Sequence, residues 1–143
     1  MVFTSRLFTA STALFLSAAA LLAQGDAGPR LSIELNSVRG IESGCELSFL
    51  AVNSHPRDID SAVFEAVLFD TGGQVDRLTL LDFGALPEGR PRVRQFVLTG
   101  ATCEGLGRLL INGATECEAG ELGESACNRN LDLSTRTDIE VIG

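Results

Sequence analysis

The sequence holds a single histidine, His55, with two aspartates close behind it in "SHPRDID", Asp58 and Asp60. An imidazole beside carboxylates is the smallest set that could support hydrolysis, the carboxylate orienting the ring while the ring takes a proton from a nucleophile or a water. Beyond that trio the chain offers little catalytic material. It contains no Tyr and no Lys, no second His, no GxSxG turn and no HExxH pair. Pro56 and Arg57 sit inside the stretch, which lies between two apolar runs, so the expectation is an exposed turn histidine on an inter-strand loop. A small hydrolase-like enzyme using His55 with Asp58 and Asp60 is the alternative, and no catalytic residue is assigned.

Four cysteines, Cys45, Cys103, Cys117 and Cys127, offer a second kind of chemistry. Zinc binding would call for paired thiolates at short spacing, and no CxxC exists. Disulfides are the expectation. Cys117 and Cys127 flank "EAGELGESA", a polar, glycine-containing stretch that can bend back on itself, which leaves Cys45 for Cys103. On the chain-entropy model the longer loop is worth about 4 kcal/mol and the shorter about 2.5–3 kcal/mol. The acidic run "ECEAGELGE" could gather oxygen ligands, but its spacing does not match a calcium loop, and it reads as a solvated, disulfide-closed loop. No metal and no cofactor is expected.

A third feature is "RPRVR", which places Arg90, Arg92 and Arg94 at every second position. On a strand such residues share one face about 7 Å apart. The expectation is a basic stripe on an acidic protein, serving either as an edge guard against strand pairing or as a candidate partner-binding surface.

These residues must be positioned by something, and the chain's start says where it goes. Arg6 precedes "LFTASTALFLSAAALLA", an apolar and small-residue run, and small residues recur around Ala23–Ala27, so residues 1–25 read as a cleavable signal peptide. The run is shorter than the ~20 apolar residues of a membrane span and is interrupted by Thr and Ser. With no cysteine near the cleavage region to be lipidated, the expected product is a periplasmic or secreted protein without stable membrane insertion. Residues 26–143 are long enough for one domain. Arg6 is the only charge among the first 25 residues, so the remainder sets 10 arginines against 19 carboxylates. That excess disfavours nucleic acid and anionic lipid as partners.

Alternation supplies the architecture. "RLSIELN" and "CELSFLAVN" each place apolar residues on one face and polar ones on the other. "AVFEAVLFD" (62–70) is apolar on both faces, as a central strand would be, and "TGG" turns it into "QVDRLTLLDF". "LPEGRP" cannot continue a ladder and must turn. "RVRQFVL" and "LGRLLIN" follow, the latter ending at Asn112-Gly113, and "LDLSTRTDIEVI" alternates over its whole length as one closing strand. About seven strands with turns between them and no sustained helical spacing indicate an all-β protein, an immunoglobulin-like antiparallel β-sandwich. A Cys45–Cys103 disulfide would then join the two sheets.

The segments "LSFLAVN" (47–53), "FEAVLFDTGGQV" (64–75) and "LPEGRPRVRQF" (86–96) together resemble the FxLYD-like immunoglobulin-like domains of bacterial exported and envelope proteins. In that pattern one strand ends in Asn, a second ends in an aromatic-Asp-x-x-Gly turn, and a Pro-Glu-Gly turn precedes a strand ending in Phe. Phe69 stands where Tyr is usual, and the cysteines lie outside the pattern. The resemblance spans about 50 residues. It implies a non-catalytic binding or assembly module with a protein partner in the cell envelope.

Overall fold

A computed structural model describes residues 28–143, so the segment 1–25, read above as a signal peptide, lies outside the described residues. The described chain forms eight strands: β1 (Leu31–Ile41), β2 (Gly44–Asn53), β3 (Ile59–Asp70), β4 (Val75–Leu86), β5 (Arg92–Thr99), β6 (Leu106–Glu118), β7 (Asp132–Thr135) and β8 (Glu140–Ile142). Three short 3-10 turns, at Cys103–Gly105, Gly120–Leu122 and Glu124–Cys127, are the only helical segments described. Strands β5-β2-β1-β7 make one four-stranded sheet, called sheet A here, and β4-β3-β6-β8 make sheet B. The two pack face to face as a sandwich, which is the all-β architecture expected from the alternation.

The alternating residues meet where the period of two requires. Leu31, Ile33 and Leu35 of β1 and Cys45, Leu47, Phe49 and Ala51 of β2 are all buried on the inner face of sheet A. Against them sheet B sets Ala62, Phe64, Ala66 and Leu68 of β3 and Leu81 and Phe83 of β4. Phe49, Phe64, Phe83 and Phe96 form an edge-to-face cluster across the gap, with ring centroids 5.3–5.8 Å apart, each contact worth about 0.5–1.5 kcal/mol beyond area burial. The doubly apolar β3 is central in its sheet, paired with β4 and β6.

Strand β4 buries both Phe83 and Leu86, three residues apart, which strict alternation forbids. Gly84 resolves the conflict: at φ +61° it takes a left-handed conformation, the β3–β4 register shifts on both sides of Ala62↔Gly84, and Leu86 returns to the core. At the other end of the molecule, a Cβ on Gly44 would lie 2.1 Å from the Leu98 carbonyl oxygen, so the β2–β5 contact depends on that glycine.

Two expectations need correction. The closing strand is not single. β7 pairs parallel with β1 in sheet A, whereas β8 pairs parallel with β6 in sheet B. Threonines cause the break: the Thr137 N–H donates to Thr135 Oγ1 (3.0 Å) and the Ile139 N–H to Thr137 Oγ1 (3.1 Å), so side chains take the bonds that a ladder would have used. Strand β6, in turn, does not stop at Asn112-Gly113. It runs on to Glu118, with register shifts where Gly113 and Ala114 pair with Glu65 and Phe64.

Candidate interaction surfaces

The end of β2 is a polar knot. The Asn53 side chain is fully buried; its Nδ2 donates to the carbonyls of Arg57 and Leu86, both at 2.8 Å, and its Oδ1 accepts the His55 N–H at 2.9 Å. The backbone carbonyl of Asn53 accepts the Gly89 N–H at 2.8 Å. One side chain thereby joins the β2–β3 loop to the β4–β5 turn.

His55 is not the exposed turn histidine expected from its neighbours. It is 5% exposed, and its Nε2 lies 2.9 Å from the Ala126 carbonyl oxygen. A carbonyl only accepts, so Nε2 carries the hydrogen in this contact. Ala126 belongs to the 3-10 turn Glu124–Cys127, which the Cys117–Cys127 disulfide ties to β6 and which covers the ring. Asp58 is also occupied, its Oδ1 accepting the Glu88 N–H at 2.7 Å, and Asp60 is exposed at the start of β3. The three residues proposed as an alternative catalytic set thus make no mutual hydrogen bond; His55 and Asp58 each hold a different turn in place. Among the described residues no group of three or more His, Cys, Asp or Glu side chains gathers as a metal site.

Both cysteine pairs are as expected, Cys45–Cys103 with Cα atoms 5.1 Å apart and Cys117–Cys127 at 6.0 Å. The first links β2 of sheet A to the turn entering β6 of sheet B, and so crosses the sandwich.

The basic stripe takes a different form from the expected one. Arg90 precedes β5 and is exposed, but Arg92 and Arg94 share the strand face of Phe96 and Leu98, which points toward sheet B. Arg94 reaches across to β4, donating from Nε to the Phe83 carbonyl at 2.7 Å and from a terminal nitrogen to the Ala85 carbonyl at 3.1 Å. Arg77 of β4 reciprocates, donating to the Thr99 carbonyl of β5 at 2.8 Å. Two arginines therefore stitch the neighbouring edges of the sheets along one flank and fill backbone acceptors that an added strand would need.

At the opposite end from the knot, an open cleft of about 680 Å³ lies between β1 and the 136–139 loop, lined by Asn36, Ser37, Cys103, Glu104, Arg136 and Asp138 among others. Beside it, the hydrogen bond from Asn36, joined by the hydrogen bond and the positive charge of Arg136, holds the Glu34 carboxyl below the ordinary carboxylate range.

The two outer faces of the sandwich differ in character. On sheet A the cross-strand rows are mixed or wholly polar: Val93–Leu50–Glu34–Ser134, Gln95–Ser48–Ser37 and Val97–Glu46–Arg39. On sheet B the row Leu78–Val67–Leu110–Ile142 is apolar across all four strands. Leu78 and Leu80 of β4 are 58% and 59% exposed. Sequence reasoning missed this face. Its signal was present in "DRLTLLDF", where leucines fall on both parities of one strand, and in the two apolar faces of β3.

Comparison with protein-family models, with curated proteins and with solved structures returned no match.

Proposed function

We propose that this chain is an exported, periplasmic or secreted, non-catalytic binding or assembly module that presents a disulfide-stapled β-sandwich to a protein partner of the cell envelope. The observation that carries the reading is the pairing of all four cysteines. Both bonds close on the sandwich itself, as suits an oxidising compartment, and the signal-like N-terminal segment points the same way. The turn chemistry shared with FxLYD-like domains supports a binding role, as does an outer sheet face with exposed leucines. The net charge of −8 disfavours nucleic acid. The hydrolase-like reading loses its geometric footing, because His55 Nε2 and Asp58 Oδ1 are both engaged in holding loops.

The test is expression of the full chain in a Gram-negative host, with fractionation, intact-mass measurement and photocrosslinking from residues on each sheet face. Recovery in the periplasm with the first 25 or so residues removed, no free thiol and a discrete crosslinked envelope protein is the expected result. A cytoplasmic product with reduced cysteines would overturn export, and hydrolysis of ester or peptide substrates that His55→Ala abolishes would overturn the non-catalytic reading.

A further inference from the structure

The outer face of sheet B has both a shape and a sign. Its central row, Leu78–Val67–Leu110–Ile142, spans roughly 14 Å at the usual strand spacing. Val67 is only 8% exposed although it lies outside the inter-sheet core, so its neighbours in the row are what shield it. Leu80 extends the apolar surface on β4, and Val75 and Phe69 extend it at the next row.

Charge is distributed unevenly around that row. On the side toward the start of β3 stand Glu65, Asp82 and Glu116, facing outward with Leu80 and Val63. Each carboxylate is held by a neutral donor: Glu65 by Asn112 Nδ2 at 2.6 Å, Asp82 by the Gly84 N–H at 2.8 Å, Glu116 by the Ser61 hydroxyl. Among the described residues none of the three is in an ion pair. Neutral donors fix the position of a carboxylate and leave its full negative charge in place. On the other side of the row Arg108 pairs with Glu140 and Arg77 with Asp76, which cancel there. Asp70, held by the Gly72 and Gln74 N–H groups in the β3–β4 turn, adds a single negative charge at that end. The field over the apolar row is therefore more negative on the side of the three clustered carboxylates than on the other.

That combination selects among occupants. A second copy would bring the same three carboxylates and only the already neutralised Arg77 and Arg108. An anionic lipid surface would be repelled by them. Strand addition at the β4 edge would compete with Arg94 for the Phe83 and Ala85 carbonyls, so the contact must be made on the face. Resting on the binding-module reading above, we infer that the outer face of sheet B docks a partner protein segment with an apolar ridge and a line of Lys or Arg along one side. The ridge lies over Leu78, Val67, Leu110 and Ile142. The cations meet Glu65, Asp82 and Glu116, about 7–14 Å to one side.

The experiment uses protein purified from the exported fraction after expression of the full chain. The probes are two synthetic peptides of equal length, one alternating Leu/Val with Lys and one carrying Glu at every Lys position, together with phosphatidylglycerol vesicles. Binding of the Lys peptide at least tenfold tighter than the Glu peptide is expected. Leu78→Ser/Leu80→Ser should weaken it at least fivefold, and Glu65→Gln/Asp82→Asn/Glu116→Gln should flatten its salt dependence. The leucines are more than half exposed, and a melting curve of each variant confirms that it is folded. Lys-peptide binding that survives the serine pair would reduce the effect to general charge attraction and overturn the proposal. So would equal or absent binding of the two peptides, vesicle binding, or a dimer by sedimentation that the serine pair dissolves. Failure here with an exported, oxidised protein that still crosslinks an envelope partner through another surface would remove this face and leave the module reading standing.

Discussion

The two ends of the sandwich are built on opposite plans. At one, Asn53, His55 and Asp58 spend their polar atoms on backbone groups from three separate loops, and the Cys117–Cys127 loop closes over them. At the other, the turns stand apart around an open cleft, and cohesion comes from the Cys45–Cys103 bond between sheets. One end is held by many weak directional bonds that must all be satisfied together, the other by a covalent link with the Arg77–Thr99 hydrogen bond beside it. The first is the more sensitive to small changes in side-chain chemistry; the second tolerates changes in its loops as long as the link is intact.

The largest effect that would test this contrast is removal of each disulfide. With 58 residues of separation, Cys45→Ser/Cys103→Ser should cost about 4 kcal/mol, and Cys117→Ser/Cys127→Ser, with a separation of 10, about 3 kcal/mol. Denaturant melts decide the order, and equal midpoints would mean that the knotted end relies on its bridge as much as the open end does. Next comes Asn53→Asp, which keeps the acceptor for the His55 N–H but sets an acceptor against the Arg57 and Leu86 carbonyls. A loss of about 3 kcal/mol is expected from buried groups left unpaired. A variant as stable as the parent would refute the claim that this end depends on hydrogen-bond satisfaction.

Arg94→Gln removes one of the two stitches along the flank that joins the two ends, and about 1–2 kcal/mol should be lost. Arg90→Gln, which touches nothing that holds the fold, should melt like the parent. The comparison of those two melts separates edge closure from mere surface charge. The smallest effect concerns Glu34, beside the cleft. Its carboxyl is held below the usual 4.5, chiefly by the hydrogen bond from Asn36, so its folded pKa is the depressed one. The stability it contributes is present above the unfolded pKa and is lost as pH falls through the folded value. Glu34→Gln should therefore melt slightly below the parent at pH 7, and the gap should close as the pH is lowered beneath the ordinary carboxylate range. A gap that stays constant down to pH 2 would contradict this assignment.

Much of the fold was legible because β-strand burial writes itself as alternation. The inner faces of β1 and β2, the central place of β3, the turns at 71–73 and 86–91 and both disulfides follow from residue types and spacing. What stayed hidden depends on contacts between residues far apart in the chain. Nothing around His55 announces burial, because its cover comes from Ala126, 71 residues on. Alternation shows that Arg92 and Arg94 share a face but not which face it is, and Arg94 points inward because its guanidinium finds carbonyls on a strand of the other sheet. The break between β7 and β8 had a local signal, the Thr-x-Thr spacing, which alternation masked. The outer face of sheet B was concealed for a similar reason: an apolar residue on a central strand reads as core, and only the pairing register shows that Val67, Leu78 and Leu110 look away from it.

The knot around Asn53 also sets an order of events in time. Its bonds span 4, 33 and 71 residues of sequence, whereas the β1–β2 hairpin closes across only Glu42 and Ser43. Closing a loop costs more as it lengthens, so during oxidative refolding the Cys117–Cys127 ring should form ahead of Cys45–Cys103, and the hairpin ahead of both. His55 can meet Ala126 only after the ring has shaped the turn that presents that carbonyl. Acid-quenched refolding followed by mass mapping would show the short ring first, and protection of the His55 amide would be among the last signals to appear.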